Sequence, residues 1–279
     1  MLRTMITATN TLTQLQQQMD TISNNLANSS TTGYKAKEAQ FSELLYQQYN
    51  NDELDRTLRQ SPVGIRYGVG AKISQIQTNH SQGNLQMTDR DLDLAFTKEK
   101  QYFNILMPAG DNGTNLVYSR QGDFYVSPVA NGQVMLVNSD GYAVADSDGN
   151  PIVFQDQFQN FTLTEDGLLG VSYPNGQTAT FELGITEIQK PQVMEHVSDT
   201  YIDLPENFAE LGLEEQEVLV DMLGANRVNI GVQNGALEQS NVNLSKEMTD
   251  LITAQRSYQF NSRAITIADQ MLGLINGIR

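Results

Sequence analysis

Apolar positions near the N-terminus recur at alternating spacings of three and four: Met5, Ala8, Leu12, Leu15, Met19, Ile22 and Leu26, with Thr, Asn, Gln, Ser and Asp between them. This is a heptad seam, and it predicts one helix from Arg3 to Asn28, about 39 Å long at 1.5 Å per residue. A helix that long with one narrow stripe to bury calls for a helical partner. Ser29-Ser30-Thr31-Thr32-Gly33 then ends it, because small polar residues and a glycine able to take positive φ turn the chain. Near the other terminus Leu244, Met248, Leu251, Tyr258, Ile265, Ala268, Leu272 and Ile275 recur at three, four or their multiples, with Gln255 and Ser262 interrupting the stripe. They predict a second helix, about 52 Å long and capped by Asn241 or Asn243. A seam diluted with Gln and Ser suits a crowded multi-helix wall, where polar positions find partners and fix register.

Between the helices, short β-type runs alternate with tight turns. Tyr102–Met107, Val134–Asn138, Leu168–Ser172 and Thr178–Ile188 are among the runs, and Ser139-Asp140-Gly141, Asp148-Gly149-Asn150, Asp166-Gly167 and Asn175-Gly176 are among the turns. The predicted fold is therefore α+β, with long terminal helices that pair as a coiled coil and flank a β-rich antiparallel middle domain. Four segments follow: residues 1–35, an N-terminal axial helix and turn; residues 36–80, an extended linker with a short polar helix around Glu38–Tyr49; residues 81–230, the β-rich domain; and residues 231–279, the C-terminal helix. Within the third, residues 195–221 carry nine acids and no base, which reads as a solvated outer face.

Charge sharpens this division. The 279 residues hold 17 Lys and Arg against 33 Asp and Glu, a formal charge of −16. Residues 1–35 are net +1 and residues 236–279 net 0, so a charge of −17 resides in the middle. Such a chain repels nucleic acid and anionic membrane faces, and no stretch approaches the ~20 apolar residues of a membrane span. Neither a nucleic acid nor membrane insertion is expected, and the first thirty residues lack the pattern of a cleaved signal. There is no Cys, and the only histidines are His80 and His196. Thiol nucleophiles, Cys-type zinc sites and the usual His-assisted serine hydrolysis are thereby excluded.

The remaining polar clusters read as structure. Asp89-Arg90-Asp91-Leu92-Asp93 begins like a calcium loop, but Leu94 and Lys100 stand where Gly and an acid are needed. As a strand it sets Asp89, Asp91 and Asp93 on a solvated face. Asp146 and Asp148 read as turn formers, and the two histidines as isolated surface groups. No pair of carboxylates is singled out for glycoside hydrolysis, no catalytic or metal residue is assigned, and no cofactor is expected.

Ser23-Asn24-Asn25-Leu26-Ala27-Asn28, followed by Thr31-Thr32-Gly33-Tyr34-Lys35, resembles the N-terminal signature of the bacterial flagellar rod and hook proteins. The resemblance continues through Gln82-Gly83-Asn84-Leu85-Gln86, Leu92-Asp93-Leu94-Ala95-Phe96 and Tyr118-Ser119-Arg120-Gln121-Gly122-Asp123-Phe124. It closes with Gly235-Ala236-Leu237-Glu238-Gln239-Ser240-Asn241-Val242-Asn243 and Asp269-Gln270-Met271-Leu272. Blocks in family order from one end to the other make the chain similar to the distal-rod and rod/hook basal-body type.

That resemblance implies a structural, non-enzymatic subunit that leaves the cell uncleaved through the flagellar type III export apparatus and polymerises helically in the basal body. Its partners would be copies of itself and other rod and hook subunits. The two helical stripes become the assembly seam, and Asn24, Asn25, Asn28, Thr32, Gly33 and Tyr34 the hinge between helix and domain. Gly33 is expected at φ > 0, where Asn is tolerated better than Ala or Val, with Tyr34 anchoring the chain. A wall-cutting hydrolase accompanying rod growth and an acidic adhesin on a helical stalk are the alternative readings.

Overall fold

The computed structural model describes residues 2–43, 47–49, 65–67, 71–109, 113–164, 166–205, 208, 212 and 214–277. The architecture is α+β, with helices α1 (Leu2–Ala27), the single-turn α2 (Glu215–Val218) and α3 (Leu244–Gly277) accompanied by short antiparallel strands. Two compact units result. Unit 1 holds Met1–Ala27, Lys37–Thr78 and Asn243–Arg279, and unit 2 holds Asn28–Ala36 and Asn79–Val242.

In unit 1, α1 and α3 lie side by side. Met5, Ala8, Leu12, Leu15, Met19 and Leu26 are half-buried and Ile22 is buried, while Thr9, Thr13 and Gln16 between them are exposed. Threonines on both helices return their hydroxyls to the carbonyl four residues back, as Thr9 does to Met5 at 2.9 Å and Thr253 to Thr249 at 2.9 Å. This satisfies the hydroxyl without a partner from outside the helix. Asn243 caps α3, its Oδ1 accepting the Lys246 N–H at 3.1 Å.

The polar helix expected around Glu38–Tyr49 is not formed. Lys37–Glu43 is a strand paired antiparallel with Ala71–Thr78, and Gln47–Tyr49 pairs with Ile65–Tyr67; residues 44–46 lie outside the described residues. Long-range pairing overrides local propensity here. The Ile73 N–H donates to Gln14 Oε1 at 2.5 Å, which ties the first ribbon to α1.

Unit 2 is built on a ten-stranded sheet that runs Val153–Gln155, Gln133–Asn138, Ala143–Val144, Gln101–Ala109, Gly113–Ser119, Tyr201–Asp203, Glu195–His196, with three further strands paired beside this path. Its core centres on Phe96, Phe103 and Phe124, with ring centroids 4.2 and 5.0 Å apart in succession. A three-stranded sheet, Asn160–Leu163, Leu168–Ser172 and Thr178–Glu182, is fastened by Arg227, whose buried guanidinium donates to the carbonyls of Gly167, Leu183 and Met222.

Two surface readings need correction. The acidic segment is not a simple solvated face: it supplies the Glu195–His196, Tyr201–Asp203 and Leu219–Asp221 strands, and Tyr201, Ile202, Val218 and Leu219 are buried. Its apolar residues alternate with the acids closely enough to enter the sheet. Asp93 likewise is 3% exposed and paired with Arg90 at 3.2 Å, because a turn from Arg90 and a bridge to Asp123 replace the expected strand alternation. Asp146 does form a turn, its Oδ1 accepting the N–H groups of Asp148 and Asn150.

Candidate functional site

Where α1 ends, the chain makes a turn held by side-chain and backbone hydrogen bonds. Thr31 donates through its hydroxyl to Asn28 Oδ1 and through its N–H to Asn28 O, and Asn28 Nδ2 reaches Asp199 Oδ2 at 3.3 Å. Thr32 donates to Asp123 Oδ1 at 3.4 Å. Gly33 follows at φ +70°, and its N–H donates to Glu238 O at 2.8 Å. A Cβ there would lie 2.6 Å from the Arg120 carbonyl carbon and 2.7 Å from the Gln121 nitrogen. Gly33 is therefore a packed crossing of two chain segments as well as a left-handed residue. Tyr34 beside it has no solvent exposure.

One carboxylate organises what comes next. Glu238 Oε1 accepts from Lys35 Nζ at 2.6 Å and from the Gly83 N–H at 2.8 Å, and Oε2 accepts from Arg120 Nε at 2.7 Å. The side chains of Lys35, Arg120 and Glu238 are 8%, 1% and 1% exposed. Lys35 also donates to Ser81 O, and Arg120 to Lys98 O, with its guanidinium carbon 5.5 Å from the Phe96 ring centre and 5.6 Å from that of Tyr102. Burial, then the neighbouring Arg120 charge, pushes the Lys35 ammonium down to about 8, against the opposing pull of Glu238. Two cations share one anion in a dry site.

Asn241 closes the arrangement. Its Oδ1 accepts the Ala36 N–H at 2.8 Å, and its Nδ2 donates to Asn79 O and Ser81 O. Residues 28–36, 79–83, 120–123 and 236–241 thus form one joint inside unit 2. The segment 231–242, grouped above with the C-terminal helix, belongs to this unit.

Unit 1 has a smaller counterpart. Asn25 is 1% exposed; its Nδ2 donates to Lys37 O at 2.8 Å and its Oδ1 accepts the Lys37 N–H at 2.9 Å. The side-chain amide thereby acts as a strand neighbour for one residue. Asn25 also hydrogen-bonds the Glu247 carboxylate, whose pKa is raised chiefly by burial. The end of α1 lies beside the start of α3, so the paired helices run antiparallel. Asn24 is half-buried on the same turn.

On α3 the stripe facing inward is Glu247, Leu251, Ala254, Tyr258, Asn261, Ile265, Ala268 and Leu272, a spacing of four and three without interruption, all buried or half-buried. Gln255 and Ser262 are exposed and stand outside it, while Leu244 and Met248 are 46% and 50% exposed. The sequence pattern missed Ala254 and Asn261 because neither carries a strong apolar signal.

Residues 5–35 match the family described as flagella basal body rod protein, residues 97–171 the flagellar hook protein FlgE/F/G D1 domain, and residues 233–278 the flagellar basal body rod FlgEFG protein C-terminal family. The flagellar hook-basal body complex protein FlhP of Bacillus subtilis is 46% identical over 286 residues, covering all of both chains. The chain belongs to the flagellar basal-body rod protein family. The flagellar basal-body rod protein FlgG of Borreliella burgdorferi is 32% identical, covering 100% of this chain and 99% of its own, and that of Agrobacterium fabrum is 33% identical, covering 94% and 93%. In this rod-family chain the two terminal matches contain the two halves of the joint, Gly33 with Lys35 and Glu238 with Asn241. No local pattern announces that pair, because its members stand 203 residues apart.

Proposed function

We propose that the chain is a structural, non-enzymatic subunit of the flagellar basal-body rod, assembling helically through its terminal helices with copies of itself and other axial subunits to transmit torque. The observation that supports this most is a second apolar face on α3. Met248, Ile252, Phe260, Ile267, Met271 and Leu274 remain 42–73% exposed while another stripe of the same helix packs on α1. An apolar face of that length on a lone chain marks an interaction surface. The four-three spacing on both helices supports coiled-coil pairing between them, with Leu244 and Met248 serving neighbouring subunits instead. Among the described residues, no helix is long and apolar enough to cross a membrane. Delivery by the flagellar type III export apparatus, without a cleaved signal, completes the reading.

A wall-cutting hydrolase or an adhesin is favoured by no observation. A cleft of about 550 Å³ in unit 2 is lined by Asp148 and Asp221, but the Asp221 carboxylate is engaged by the Thr186 hydroxyl at 2.8 Å. The test is replacement of Phe260 and Ile267 by Asp in the full chain. Basal bodies isolated from such cells should lack this subunit while unit 2 melts as in wild type, and normal rods carrying the variant would overturn the reading.

A further inference from the structure

Both histidines of the chain lie in unit 2, on the flank of the joint. His80 is half-buried, and its Nδ1 stands 3.1 Å from the hydroxyl of the buried Tyr102. The groups that face this imidazole are neutral or cationic: Tyr102 from the Gln101–Ala109 strand, His196 from the Glu195–His196 strand, Lys35 from the turn after α1 and Arg120 from the end of the Gly113–Ser119 strand. Among the described residues, Glu238 is the one carboxylate bound to Lys35 and Arg120, so the trio is net +1 before the His80 imidazole takes a proton. On the ribbon that carries His196, Glu195 stands opposite Asp203, and burial with Glu195 raises the Asp203 carboxyl.

We propose that His80 forms an acid-sensitive latch on the joint. Its protonation adds charge beside Lys35 and Arg120 and frees the 79–83 turn. It is independent of whether the chain polymerises.

The sign follows from the surroundings. Burial, then His196, Lys35 and Arg120, lower the His80 imidazole from 6.5 to about 4. Its folded value lies below the unfolded one, so the unfolded segment binds the extra proton between these values and stability is lost as pH falls through that window. The buried carboxyls work the other way. Asp123, Asp203 and Glu247 are all raised, chiefly by burial, and gain stability on protonation. An acid loosening confined to this flank therefore points to the His80 imidazole.

The experiment is amide hydrogen exchange on the isolated full chain near pH 7.5 and near pH 5, normalised for intrinsic rates. For a group moving from 6.5 to about 4, the opening constant of the 79–83 amides should rise about thirtyfold at the lower pH. Amides around Phe96 and Phe103 should not respond. The variant His80→Asn should lose the response, since Asn retains a hydrogen-bonding group for Tyr102 but cannot titrate. Equal protection at both pH values, or a full response in the variant, would overturn the latch. Should the variant fail to fold, imidazole resonances of the wild-type chain decide the question: a His80 midpoint near 4 supports the latch, and one near 6.5 refutes it.

Discussion

Lys35 and Glu238 meet at 2.6 Å in a site where neither side chain is more than 8% exposed, yet the two contribute unequally. Glu238 neutralises two cations and also accepts a backbone N–H, whereas Lys35 is one of two cations competing for one anion. Glu238→Gln should therefore destabilise unit 2 by about 3–5 kcal/mol, because it strands buried positive charge. Lys35→Met should cost about 1–2 kcal/mol, since Arg120 and Gly83 still satisfy the carboxylate. Urea unfolding of the two variants checks the order, and equal losses would refute the asymmetry.

Gly33 tests conformation against space. A left-handed residue alone would accept Asn, but any Cβ here meets the backbone of Arg120 at 2.6 Å. Gly33→Ala and Gly33→Asn should each cost about 2–4 kcal/mol, combining the positive-φ penalty with overpacking, and Asn should give no rescue. Gly141, at φ +83° with nothing within 4 Å of its Cβ position, is the control: Gly141→Asn should cost under about 1 kcal/mol. Thermal melts and motility in soft agar should rank the variants alike.

The α3 register separates inward from outward positions. Ala254→Leu, at a site 3% exposed, should disrupt the packing of α1 on α3 by about 1–3 kcal/mol. Gln255→Leu and Ser262→Leu, at exposed positions, should leave that packing unchanged. Helical ellipticity during unfolding distinguishes them. Leu15→Asp and Leu251→Asp should remove rod assembly while unit 2 keeps its own melt, because each puts an unpaired charge into the inward stripe.

Asp123 governs a pH effect of opposite sign to that of His80. Burial and the nearby Asp93 raise its carboxyl, against hydrogen bonds from Ser139 and Thr32. Its folded value exceeds the unfolded one, so the stabilisation is full below about pH 3.8 and is lost as pH rises through the folded value. Asp123→Asn should raise the melting temperature at neutral pH and flatten the pH profile in that window. A lowered melt at neutral pH would show that the ionised carboxylate is needed.

The α1 stripe was readable in the sequence because Met5 to Leu26 signal their face locally, by apolar spacing alone. On α3 the same rule drifted, since Ala254 and Asn261 mark the inward face while larger apolar residues such as Phe260 and Ile267 point outward. The strand at Lys37–Glu43 was hidden because its partner begins beyond a gap of more than twenty residues. The joint was hidden more deeply. Lys35, Arg120 and Glu238 stood inside quoted signature blocks, but only the fold reveals that they share one site, and His80 looked isolated for the same reason.

The dependence of the joint on Glu238 gives unit 2 a built-in clock. On a growing chain Lys35 and Arg120 are made first, and Glu238 follows Lys35 by 203 residues. At ribosomal rates that interval is on the order of ten to forty seconds. Throughout it, closing the turn around Gly33 would bury Lys35, joined by Arg120 once that residue is made, without their anion, so a chain lacking its last fifth has a strong reason to stay open. Completion of the sequence, and not collapse of its first half, sets the moment at which both ends are drawn together.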